Sequence, residues 1–206
     1  MIDKDKIISL LTYSKTYPFN DRVLGYHTIK IGNEIFEGQR DCINRFNDII
    51  SELKNKNIAD FGCCTGGMLH TLSKDITYGI GFDKNIKYIN TANAIRYINK
   101  ANNLSFHIFD IDKEDLSILN TLILEKIDVC LMLAIAKWVK RWKELVQLCH
   151  SISDVLIFET NGSNQKEQIE YIKTLYNVNI IHTRSLDDKT QHNRMLLLCH
   201  KRLVEK

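Results

Sequence analysis

At 206 residues, 44% hydrophobic and 26% charged, the chain has the size and composition of one soluble globular domain that can bury a core without metal or disulfide staples. Its 28 basic and 25 acidic residues leave a formal charge of +3, far short of the basic footprint of a dedicated nucleic-acid binder. No apolar run approaches the roughly 20 residues that span a bilayer, the amino terminus has no signal-peptide pattern, and a cytoplasmic protein is expected.

The elements follow in order. Residues 1–50 read as a short helical extension packed on the core, with an irregular stretch over 25–38, and residues 51–206 as the core itself, one domain overall. A short strand at 57–61 enters a turn of small residues, a helix follows over 67–74, and a second strand over 78–82 ends at Asp83. Ile86, Ile89, Ala92, Ile95 and Ile98 lie three apart on one face of a helix over 85–100. Strands at 104–109 and 127–133 flank a short helix near 113–124. A helix over 140–151, a strand at 155–158, a turn at 161–164, a helix over 165–176 and strands at 178–182 and 194–199 complete the chain. Alternation of strand and helix predicts an α/β fold, a doubly wound, mostly parallel seven-stranded sheet with helices on both faces. Cys42, Cys63, Cys64, Cys130, Cys149 and Cys199 contain no C-x-x-C pair, so buried free thiols are expected, with no metal site.

Chemistry concentrates after the first core strand. Asp60 precedes Gly62, Gly66 and Gly67, residues without side chains where a backbone must approach a ligand closely. Amides at the start of the next helix can receive a carboxylate. Asp83 stands 21 positions after Gly62 at the end of the second strand, where a carboxylate can accept hydrogen bonds from ribose hydroxyls.

The run Asp60-Phe61-Gly62-Cys63-Cys64-Thr65-Gly66 resembles the D-x-G-x-G-x-G motif of class I S-adenosylmethionine-dependent methyltransferases, with Cys64 in place of the middle glycine. The G-x-G-x-x-G spacing of nicotinamide-dependent oxidoreductases is absent. The resemblance covers about residues 55–160 and implies a Rossmann-like fold that binds S-adenosylmethionine and releases S-adenosylhomocysteine. It implies cofactor contacts at Asp60, Gly62, Cys63, Cys64, Gly66, Asp83 and Lys84, an adenine-side acid at Asp110 beside Ile111, and Leu133 beneath the methionine portion. Asp112 reads as a helix cap instead, and both carboxylates as solvated loop groups is the alternative. By similarity to branches with an aromatic and a basic residue before the core, Tyr26 packs near the methionine chain and Arg40 pairs with its carboxylate, Arg45 being the next candidate.

For the methyl acceptor, His27, Lys137 and Glu159 are the candidate catalytic residues, and Trp138, Asn161 and Arg194 the candidate substrate contacts. Each has a plainer reading as packing or a surface ion pair. Ala136-Lys137-Trp138-Val139 after the fourth strand lacks the N/D-P-P-Y/F pattern of amino methylation, and a cation beside an indole suits an anionic or sugar-like acceptor. The segment 185–188 with Arg194 borders the pocket in this fold, a solvated hairpin loop being the simpler reading. O-methylation of a small molecule or glycan is therefore expected. An RNA methyltransferase using Lys137, Lys140, Arg141 and Lys143, or a cofactor-binding protein without turnover, remain as alternatives. No face shows an apolar excess that would define an oligomer interface.

Overall fold

The computed structural model describes residues 4–15 and 25–202. The expected extension is therefore described in part, and residues 1–3, 16–24 and 203–206 lie outside. Helix α1 (Lys4–Ser14) precedes four three-residue strands, β1 (Gly25–His27), β2 (Ile29–Ile31), β3 (Glu34–Phe36) and β4 (Gly38–Arg40). β2 and β3 form an antiparallel hairpin, and β1 pairs in parallel with β4. The stretch expected to be irregular is thus two small sheets. Its strands are too short for period-2 patterning to show in sequence. Ile7, Leu11, Ile29, Ile31 and Phe36 seal these elements onto the main unit through Ile95.

From residue 50 onward the order is α2 (Ile50–Leu53), β5 (Asn57–Phe61), α3 (Gly67–Leu72), β6 (Tyr78–Asp83), α4 (Ile86–Asn99), β7 (Leu104–Ile108), α5 (Leu119–Leu122), β8 (Val129–Leu133), α6 (Trp142–Ile152), β9 (Val155–Glu159), α7 (Gln165–Leu175), β10 (Tyr176–His182) and β11 (Leu196–Lys201). The seven core strands lie in the order β10-β11-β9-β8-β5-β6-β7, all parallel except β11, which is antiparallel to both neighbours. This is the expected mostly parallel sheet.

Period-2 alternation divides the strands between two faces. Ala59, Phe61, Cys130, Met132, Leu156 and Phe158 meet Leu145 and Val146 of α6 and Ile169 and Ile172 of α7. Ile58, Val129, Leu131 and Ile157 meet Leu53 of α2, Met68 and Leu69 of α3, and Ile89 and Ala92 of α4. Both faces are apolar because both are covered, as a parallel sheet requires. All six cysteines are buried and unpaired. Among the described residues no helix is long and apolar enough to cross a membrane.

Candidate functional site

Strand order reverses between β5 and β8, whose neighbours run outward in opposite directions. In open parallel sheets ligands bind outside the carboxyl ends of the strands at such a point. The turn after β5 holds three left-handed residues, Gly62 (φ 77°), Cys64 (φ 52°) and Gly66 (φ 72°). A Cβ on Gly62 would lie 2.5 Å from Ile135 Cγ2, one on Gly66 2.5 Å from the Phe106 ring, and one on Gly67 2.5 Å from His27 Cβ. The glycines are thus demanded by the protein's own packing and backbone twist as well as by any ligand.

Cys64 occupies a conformation that suits glycine, and its amide donates to Asp83 Oδ2 at 3.0 Å, which pins it. The amide of Asn85 donates to Asp83 Oδ1 at 2.9 Å. Each Asp83 oxygen therefore keeps a second lone pair for another donor. Burial raises the Asp83 pKa against these two amides and Lys84. A Cys64→Gly exchange is expected to change stability by less than about 1 kcal/mol, because relief of left-handed strain and added unfolded-state entropy are similar in size. Thermal melting checks this. A loss well above that figure would mean that the Cys64 side chain, 8% exposed, holds the turn by packing.

Asp60 is 2% exposed on the face of β5 shared with Ile58, and burial pushes its pKa up to about 7, Arg45 opposing and Asp83 reinforcing the rise. His27 lies against Gly67 with a buried Nδ1 that has no hydrogen-bond partner. Burial, Arg45 and Arg40 bring its pKa down to about 3, so the ring is neutral at physiological pH.

Beside the turn is a buried ionic cluster of three arginines and three carboxylates. Arg40, 1% exposed, donates from Nη1 and Nη2 to Glu159 Oε2 and Oε1 at 3.1 and 2.7 Å, and from Nε to Asp187 Oδ2 at 2.8 Å. Arg45 Nη2 lies 2.8 Å from Glu159 Oε2. Arg194 Nη1 lies 3.7 Å from Glu159 Oε2 and 3.4 Å from Asp188 Oδ2, and donates to the Tyr26 hydroxyl at 3.3 Å. Burial opposes ionisation of Glu159, but Arg45, Arg40 and Arg194 prevail and hold its pKa below the ordinary value. The guanidinium of Arg40, expected to meet a cofactor carboxylate, is thus bound to carboxylates of the protein itself. Asp187 and Asp188 are not the groups of a solvated hairpin. Backbone bonds from Asp41 to Asp187 (2.9 Å) and from Lys189 to Gln39 (3.1 Å) tie that loop to β4, and Asp188 is 1% exposed. The sequence pointed to the 185–188 segment as a pocket border but not to its pairing with Arg40, because only the fold brings residues 40 and 187 together.

A separate cleft of about 740 Å³ lies across the carboxyl ends of β6 to β9. Lys84, Asp110, Lys137, Trp138 and Asn161 line it. Ile111 is buried in the core beside it, and Leu133 is half-buried at the end of β8. Ala134 (φ 58°) turns the chain after β8. The Asn161 side chain accepts from the Lys137 amide at 2.9 Å and donates to the Ala134 carbonyl at 2.5 Å, fixing that turn. The structure therefore gathers the expected residues in two places. Tyr26, His27, Arg40, Glu159 and Arg194 meet at the ionic cluster, Lys84, Asp110, Lys137, Trp138 and Asn161 at the cleft, and the turn with Asp60 and Asp83 lies between.

No protein-family model matches the chain, and no curated protein matches it. Solved structures do. The N-terminal domain of EvdMO1 with SAH bound aligns over 98% of both chains with a TM-score of 0.72 at 12% identity. WbdD, described as a bifunctional kinase-methyltransferase, aligns over 98% of this chain and 47% of its own, with a TM-score of 0.66 at 18% identity. An rRNA methylase from Streptococcus thermophilus aligns over 75% of this chain and 92% of its own, with a TM-score of 0.58 at 10% identity. The chain thus spans about half of WbdD. Together with the strand order, these likenesses establish that the protein has the class I methyltransferase fold.

Proposed function

We propose that the protein is an S-adenosylmethionine-dependent methyltransferase acting on an oxygen of a small molecule or glycan. The observation that carries this reading is the glycine turn and Asp83, at the switch point of a class I methyltransferase fold. Asp83 retains acceptor capacity for ribose hydroxyls, and Lys84 and Asp110 line the cleft on the same side. A domain of the same fold has been crystallised with SAH, and also in the presence of SAH and D-fucose.

The cofactor supplies an electrophilic methyl group on a sulfonium. The protein's share is to position the acceptor in line and to exclude water. Among the described residues no histidine lines the cleft, and its carboxylates are engaged: Asp110 with Lys113, Asp112 with the Arg141 amide, Glu167 with Lys143. Positioning by Lys137, Trp138 and Asn161 therefore carries more of the reaction than proton abstraction. In this reading Arg40, Glu159 and Arg194 support the site by locking β4, β9 and the segment before β11 together.

Calorimetry with S-adenosylmethionine and with a nicotinamide cofactor tests the reading, and binding of the nicotinamide alone would sink it. Asp83→Ala is expected to weaken S-adenosylmethionine binding by about 1–3 kcal/mol, or roughly 5- to 150-fold. Unchanged affinity would remove Asp83 from the cofactor site. An RNA acceptor is the second reading, favoured by the likeness to the rRNA methylase and by the lysines of the cleft.

A further inference from the structure

Four lysines and three carboxylates, Asp110, Asp112 and Glu167, line the cleft, an excess of one positive charge. Of the lysines lining it, Lys113 lies 3.5 Å from Asp110, whereas Lys84, Lys137 and Lys140 enter no ion-pair contact among the described residues. The acid Glu167 is taken by Lys143 at 2.7 Å, from outside the lining. Helices α6 and α7 begin at the cleft, but Glu144 and Glu167 in their first turns and the Asp112 carboxylate, which accepts from the Arg141 amide at 3.1 Å, offset the helix ends, so the excess charge rests on the lysines.

The same wall carries an aromatic platform. Trp138 is 61% exposed, an unusual position for an indole, and Lys137 Nζ stands 5.0 Å from its ring centroid. The Lys137 stem is held against Gly162, whose added Cβ would lie 3.2 Å from Lys137 Cδ. The bridging Asn161 fixes the backbone beneath both residues. A flat apolar face beside fixed cations fits a sugar ring that bears a charged substituent.

Resting on the proposed function, we infer that the acceptor is an anionic saccharide, its carboxylate or phosphate held by Lys137 and Lys140 and its ring laid on Trp138. The lysines select charge and the indole selects the ring.

Quenching of intrinsic tryptophan fluorescence provides the test, with four probes: a galacturonate tetramer, glucose 6-phosphate, neutral maltotetraose and a single-stranded oligouridylate. The anionic sugars are expected to bind about tenfold more tightly than the neutral one at low salt, as two exposed ion pairs together supply, and to lose that advantage at 0.5 M salt as charges are screened. Whether galacturonate or the sugar phosphate binds more tightly separates the two anions. Lys137→Gln with Lys140→Gln should remove the discrimination, and Trp138→Ala should weaken both classes of sugar. Equal affinity for charged and neutral sugars, binding of no sugar, or preference for the oligouridylate would each overturn the inference. S-adenosylmethionine calorimetry on the same samples tells its failure from failure of the methyltransferase reading, since the lysine variants should keep wild-type cofactor affinity.

Discussion

Arg40→Met is expected to destabilise the protein by about 3–5 kcal/mol at pH 7, the usual consequence of removing one member of a buried ion-pair network. Arg40 is fully enclosed and reaches Glu159 with two hydrogen bonds and Asp187 with another. Burial works against its charge, yet Glu159 and its other partners hold its pKa above the ordinary value. Methionine fills similar space but leaves Glu159, Asp187 and Asp188 facing only Arg45 and Arg194. Urea unfolding followed by circular dichroism measures the loss. A deficit below about 1 kcal/mol would show that the two remaining arginines suffice. Pairing Arg40→Met with Glu159→Leu should cost less than the two single changes summed, because neither then strands a charge.

The pH dependence of this deficit has a defined sign. Glu159, Asp187 and Asp188 have native pKa values below their unfolded ones. Their contribution is present above the unfolded carboxylate pKa and disappears as pH falls through the native values. The Arg40→Met deficit should therefore narrow in acid.

Asp60 behaves in the opposite way. Its native pKa of about 7 exceeds the ordinary 3.8, so the native state binds the extra proton between those values and stability falls as pH rises through that window. Between pH 5 and pH 8 this one group should remove about 2–3 kcal/mol from the wild type. Asp60→Asn cannot ionise, so its stability relative to wild type should rise by that amount over the same interval. Parallel pH profiles for the two proteins would show that Asp60 is ionised throughout and that Arg45 compensates its burial. Burial drives the rise in the Asp60 pKa, Arg45 opposing it and Asp83 adding to it.

Much of the architecture was visible in the chain. The runs at 57–61, 78–83, 129–133 and 155–159 are largely apolar, and 104–108 alternates Leu104, Phe106 and Ile108 with Ser105 and His107, patterns that local hydrophobicity reveals directly. Helix α4 was legible from its isoleucine spacing, and β10 began two residues earlier than expected because α7 passes into it without a turn. The glycine turn was legible because its residues are neighbours in sequence. Gly62, Cys64 and Gly66 lie in one turn, and Asp83 at the end of the next strand reaches back to Cys64.

The sequence by itself determined the doubly wound order of strands and helices and the turn at Asp60–Gly67, because both rest on short-range backbone preference and burial. Only the tertiary structure decided the partners of Arg40, the burial of Asp188 and the separation of the ionic cluster from the Lys137–Trp138 cleft. The physical reason is range. Ion pairs between residues 119 to 147 positions apart exist only in the folded chain, where β9 and the 185–194 segment lie against β4.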